Sequence, residues 1–235
     1  MKSLKSKQNI NFLEIQNNVF NSYKEKRRNL VEILKAKGIV STNVLKAIGA
    51  VPRERFVSPA YISRAYDDSA LPIDSGQTIS QPYTVAFMTS LLNISEGSKI
   101  LEIGTGSGYQ ACILSVMGAS VFTIERIKEL FEKSRNIFRE LGFKINSRYG
   151  DGTLGWREFA PYDGIIITAG APQIPKILLN QLAVNCRMVV PIGNRNSQTM
   201  YCVERKGERD YKETRQDSFK FVPLIGKDGW TGDEE

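Results

Sequence analysis

A serine set apart in a small polar stretch, QTISQPY at residues 77–83, would ordinarily invite comparison with a hydrolytic nucleophile. Ser80 cannot work that way here, because none of the 235 residues is a histidine and the usual activating imidazole is missing. A hydroxyl without a base can still donate a hydrogen bond to a group that is already charged. It can also cap the helix expected over TVAFMTSLL, since serine is common near a helix start.

A second chemistry-bearing stretch is LEIGTGSGY at 101–109. Gly104, Gly106 and Gly108 follow a strand-like run and open a helical one, where glycines let a ligand approach the backbone. The dinucleotide pattern GxGxxG would need a third glycine at 109, which is Tyr109. Glu125 ends the next strand-like run, 21 residues past Gly104, where an acid can accept from both hydroxyls of a ribose. Asp151, in GDG at 150–152, follows the third run. There it can accept from an adenine amine while Gly152 leaves room for the ring. Singly, each acid reads as a solvated loop residue; three such features at the carboxyl ends of successive strands point to a nucleoside ligand.

The elements that must carry these residues follow from periodicity. Short apolar runs at 99–103, 120–124, 163–168 and 186–192, with a weaker one at 144–149, alternate with helical stretches such as 128–141. That alternation predicts an α/β, doubly wound, mostly parallel Rossmann-like sheet. QTMYCVER and a strand around FKFVPLI, flanking KGERD, predict a C-terminal antiparallel hairpin. Upstream, apolar positions from Val19 to Leu34 recur at helical spacing, Gly38 can end that helix, and a short helix runs from 41–42 to before Pro52. We read residues 1–60 as a helical extension packed on the main domain, 61–235, with 1–10 frayed and 52–83 a long functional loop.

Charge narrows the partners. Of the net +7, residues 1–37 carry +6, with nine Lys/Arg against three Asp/Glu. The run KEKRR at 24–28 therefore reads as the solvated face of a helix rather than a phosphate site. The cysteines at 112, 186 and 202 are odd in number and far apart, which suits buried free thiols rather than a metal cage or disulfide framework. No run is apolar enough to span a membrane, and the basic start lacks a secretory apolar segment. The expectation is a cytoplasmic monomer with no metal, membrane or specific nucleic-acid partner.

An acid, ExGxGxG, and further acids after the second and third strands resemble the class I S-adenosylmethionine-dependent methyltransferases. VPRERFV (51–57), LPIDSGQTISQPYTVAFMTSLL (71–92), APYDGIIITAGAP (160–172) and KFVPL (220–224) are similar to the protein-L-isoaspartate O-methyltransferase family. The resemblance runs from about Gly38 to Gly229. TISQP and FVPL are its more specific parts. Gly170 departs from the alanine usual there, and Tyr83 stands where some members have histidine. TAGAP, after the fourth strand, lacks the Pro-Pro-aromatic motif of amine-methylating nucleic-acid enzymes.

The resemblance implies transfer of the methyl of S-adenosyl-L-methionine to the free carboxylate of L-isoaspartyl residues in damaged proteins and peptides. The ester then closes to a succinimide, whose hydrolysis regenerates some normal aspartate. A carboxylate with pKa ~4 is already ionised at neutral pH, so no enzyme base is needed. By the same resemblance Ser80 holds that carboxylate, with Thr78, Ile79 and Val222 lining the substrate pocket. Gly104, Gly106, Gly108 and Glu102 take the methionine part of the cofactor, and Glu125 the ribose. Asp151 and Gly152 take the adenine, and Gln81, Pro82, Tyr83 and Thr84 pack beside the cofactor as a lid.

Overall fold

The computed structural model describes residues 12–231; the segment expected to fray over 1–10 lies outside the described residues. Helix α1 (Phe12–Ala36) buries Leu30 and Leu34, one turn apart, and the chain leaves it through Gly38. Helix α2 (Thr42–Ala50) buries Val44, Leu45, Ala47 and Ile48 and stops before Pro52. Both pack into a core cluster that also holds Val85, Met88, Ile100 and Ile113.

Arg27 departs from the expectation of a solvated KEKRR face. Its side chain is largely buried, donating to Ala50 O at 2.9 Å and facing Glu54, while Lys24, Lys26 and Arg28 are exposed. Helical geometry explains the split: Arg27 shares a stripe with Leu30 and Leu34.

The 52–83 region is more ordered than its composition suggests. Two short 3₁₀ turns, Arg53–Arg55 and Pro59–Arg64, precede a two-residue antiparallel pair, β1 (Leu71–Pro72) with β2 (Thr78–Ile79). Helix α3 (Pro82–Leu92) then starts with proline at its first position, where the missing N–H costs nothing.

Next come β3 (Lys99–Ile103), α4 (Tyr109–Val116), β4 (Ser120–Glu125), α5 (Lys128–Glu140) and β5 (Asn146–Tyr149). They are followed by β6 (Tyr162–Ile167), α6 (Lys176–Leu179), β7 (Leu182–Gly193), β8 (Gln198–Arg205) and β9 (Tyr211–Phe219). Among the described residues, seven strands make one sheet in the order β5-β4-β3-β6-β7-β8-β9. Those from β5 to β7 are parallel, and β8 and β9 return antiparallel. β3 and β6 are buried along most of their length, hence their largely apolar character, with Glu102 the buried exception on β3. Strand order reverses between them, and ligands bind at the carboxyl ends of such a switch point.

The terminal hairpin forms, but its second strand is YKETRQDSF rather than FKFVPLI. Pro223 cannot donate to a ladder. Val222–Leu224 instead straps across the sheet edge, with Gly170 N donating to Val222 O and Leu224 N donating to Gly170 O, both at 2.8 Å. The three cysteines are free; Cys112 and Cys202 are buried, whereas Cys186 on β7 is only half-buried, correcting the reading of three buried thiols.

Candidate active site

The first wall of the candidate site is built where β3 and β4 end. Beyond Ile103 the chain turns at Gly104, whose φ of +93° and position 2.6 Å (as an added methyl) from Thr168 Oγ1 leave no room for a side chain. The buried Glu125 carboxylate accepts from Gly106 N through Oε2 and from Ile127 N through Oε1, each at 2.8 Å. Two backbone donors thus aim the acid, and each oxygen keeps a free lone pair.

Glu102 is fully buried on β3. Its Oε2 accepts from Thr123 Oγ1 at 2.5 Å, and the Thr105 hydroxyl lies 2.7 Å behind Thr123. Its Oε1 is buried with no protein partner. Burial above all, together with the Glu125 charge, pushes Glu102 up to about 8 against the opposing pull of Thr123. A buried carboxyl oxygen without a partner is costly and rare, so this one calls for a partner from a ligand, and a cationic donor there would favour the ionised form that burial opposes. A cavity of about 240 Å³ opens there, walled by Glu102, Gly104, Gly106, Glu125 and Gly152 and reaching Thr78, Ile79, Ser80 and Val222.

Ser80 stands just past β2, on the wall between this cavity and a second one. Thr78, Thr168 and Val222 share that wall. The helix-capping role open to Ser80 is filled by another residue. Gln81 occupies the cap position of α3 without a side-chain bond, and Asp68 Oδ1 takes the Tyr83 amide at 2.8 Å. Among the described residues the Ser80 hydroxyl takes no part in a side-chain hydrogen bond, and the residue borders both cavities.

Gln81, Tyr83 and Thr84 line the second cavity rather than the first. Gln81 Nε2 donates to Asp68 O at 3.0 Å and to Asp68 Oδ2 at 3.1 Å. Asp151 is also engaged within the protein: Oδ1 accepts from Thr153 N and Thr153 Oγ1, and Oδ2 from Lys227 N at 2.8 Å. Gly152 beside it lines the main cavity.

Residues 25–229 match the model of the protein-L-isoaspartate(D-aspartate) O-methyltransferase family. The chain belongs to that family. A protein-L-isoaspartate O-methyltransferase of Chlorobium phaeobacteroides is 55% identical over 206 residues, spanning 87% of this chain and 95% of the relative. That of Pelodictyon phaeoclathratiforme is 52% identical over 206 residues, spanning 87% and 93%. A solved structure of a protein-L-isoaspartate O-methyltransferase superposes with a TM-score of 0.78 at 29% identity, over 86% of this chain and 66% of that one. Another of the same class, from Plasmodium falciparum in complex with S-adenosyl-L-homocysteine, superposes at 0.74 with 27% identity over 85% and 98%.

In this member of the family the glycine at 170 has a local cause. A methyl there would lie 2.9 Å from Gln198 Cδ, and the Gln198 amide oxygen holds Phe221 N at 2.7 Å. Sequence reading overlooked Thr168, Arg53, Asp68 and Arg195. Thr168 carried a usable signal, since it follows a parallel strand at the same edge as Glu125. The others lie in loops where only folding brings them near the site.

Proposed function

We propose that Ser80 holds the substrate carboxylate for this protein's S-adenosylmethionine-dependent carboxyl methyl transfer, which initiates repair of L-isoaspartyl residues. S-adenosylmethionine, when bound, supplies an electrophilic methyl on a sulfonium. The unpaired Glu102 Oε1 fits its ammonium, and the backbone-aimed Glu125 carboxylate fits the ribose hydroxyls. The Gly104–Gly108 loop fits the methionine part and Gly152 the adenine. The second cavity then takes the isoaspartyl chain, with Thr78 and Val222 along its path, while Ile79 borders the main cavity beside Ser80. The observation carrying this reading is the position of Ser80 on the shared wall, its hydroxyl released from capping by Asp68.

The chemistry asks little more of the chain. An ionised carboxylate attacks a methyl on a good leaving group, so the residues need only align the two and exclude water. We read the protein as a cytoplasmic monomer that needs no nucleic acid or membrane surface, in keeping with a basic excess confined to residues 1–37.

Ser80→Ala should lower kcat/KM for an isoaspartyl peptide roughly ten- to more than hundredfold, the ~1.5–3 kcal/mol of a hydrogen bond to a charged group. Cofactor affinity should change little. Enzyme incubated with S-adenosylmethionine alone should acquire no methyl. A methyl increment on the Ser80 peptide that later passes to substrate, seen by mass spectrometry, would replace the positioning role with a covalent one.

A further inference from the structure

The largest buried charge outside this machinery is Arg53, in the VPRERFV stretch. Its side chain is fully buried. Nε donates to Ala65 O at 2.9 Å and Nη2 to Ser80 O at 2.8 Å. The guanidinium lies over the Tyr109 ring, 4.8 Å from its centroid. Nη1 and the Tyr109 hydroxyl are both buried without a hydrogen-bond partner. Burial pulls the arginine below its ordinary value, opposed chiefly by Tyr109 and also by Asp68 and Tyr66.

Burying a guanidinium without a contacting carboxylate is expensive, and a hydrophobic side chain of that size would usually serve packing better. What the arginine provides instead is a planar fork with fixed angles between its donors. Here the fork joins three segments distant in sequence: the 65 turn, the Ser80 loop and the first residue of α4. Tyr109 directly follows Gly108, so the guanidinium meets the ring of the residue that ends the glycine loop while Nη2 holds the carbonyl of Ser80. Tyr109 and Ser80 both border the main cavity.

We infer that Arg53 is a positioning residue that sets the Ser80 loop against the glycine loop, and so the distance between substrate carboxylate and methyl donor. The inference rests on the Ser80 reading above. Arg53 touches neither reactant; it acts through the backbone of Ser80 and the ring of Tyr109. Lysine keeps the charge but supplies no planar fork, so it cannot bind both carbonyls and stack at once.

The test is a double-mutant cycle in the full-length protein. Arg53→Lys and Arg53→Gln are compared with Ser80→Ala and with each double variant, reading kcat and KM for an isoaspartyl peptide and calorimetric affinity for S-adenosylmethionine. For Arg53→Lys we expect folded protein, cofactor affinity within about threefold and kcat/KM reduced at least tenfold. Arg53→Lys/Ser80→Ala should be no worse than Ser80→Ala alone, because the arginine acts through that serine. Arg53→Gln, which can reach only one carbonyl, supplies the same cycle if the lysine variant does not fold. Fold-losses that multiply in the double variant would overturn the proposal, as would wild-type kcat/KM in folded Arg53→Lys. If Ser80→Ala itself retains wild-type kcat/KM, the Ser80 reading fails and this one with it; a loss in Ser80→Ala without one in Arg53→Lys defeats only the arginine.

Discussion

Glu102 shows how much of this site depends on the surroundings of single residues. Its carboxyl is pushed up to about 8, from 4.5, mainly by burial. Between those values the unfolded chain holds the acid ionised while the folded chain holds it protonated, so folding takes up a proton. The stabilising contribution is complete below about pH 4.5 and is lost as the pH rises through 8. The melting temperature of the wild type should therefore fall, relative to Glu102→Gln, between pH 5 and 8. Cofactor affinity should move the opposite way over the same range, because the ionised form is the one that meets an ammonium. Parallel melting curves for the two proteins, with a pH-independent cofactor affinity, would remove Glu102 from this role. Glu125, at the same edge, differs in its partners: each of its carboxylate oxygens accepts from a backbone amide.

At the level of elements, one carboxylate organises the start of α3 and the loop before it. Asp68 accepts from Tyr83 N at 2.8 Å, from Gln81 Nε2 at 3.1 Å and from Lys37 Nζ at 2.5 Å, with its side chain only 8% exposed. It thereby ties the end of α1 to the helix that follows Ser80. Losing a cap costs ~1 kcal/mol, which in a chain of this size lowers the melting temperature by roughly 2–4 °C. Asp68→Ala should show at least that shift, together with a raised KM for isoaspartyl peptide. Asp68→Asn, which keeps an acceptor for the Tyr83 amide, should recover much of the KM. Equal kinetics for Asp68→Ala and wild type would mean that the loop keeps its shape without this anchor. The parallel strands were legible from their apolar runs, β3 matching its expectation from Lys99 to Ile103, whereas the polar and largely exposed β9 carries no such run. α1 was legible from its helical spacing, and Gly38 follows its end as expected; the 3₁₀ turns at 53–64 were harder to read, because turns this short are held by packing and by the Arg53 hydrogen bonds rather than marked by periodicity.

Across the whole molecule, the chain closes the site with its own C-terminal segment. After the strap at 222–224, Lys227 N bonds Asp151, Asp228 N bonds Thr153 Oγ1, and Trp230 Nε1 bonds Gly170 O at 3.0 Å. Arg195, from the turn between β7 and β8, lies over the Trp230 ring and also borders the main cavity. Releasing this clasp should loosen the side walled by Gly152, where we propose that the adenine binds. Trp230→Ala is expected to weaken S-adenosylmethionine binding about fivefold, equivalent to ~1 kcal/mol. A lowered melting temperature with unchanged calorimetric affinity would confine the clasp to stability. The residues at the glycine loop and at Glu125 could be found from sequence because each lies at the end of a strand whose apolar run is local, and strand ends of a parallel sheet converge on one edge. Local pattern likewise determined the doubly wound topology and the absence of a histidine base. Only the tertiary structure decided that Asp68 rather than Ser80 caps α3, that Asp151 is engaged by the C-terminal clasp, and that Arg53 lies between the two loops. Those are contacts between segments up to 76 residues apart, as for Asp151 with Lys227, and a polar side chain does not reveal such a partner until the chain closes around it.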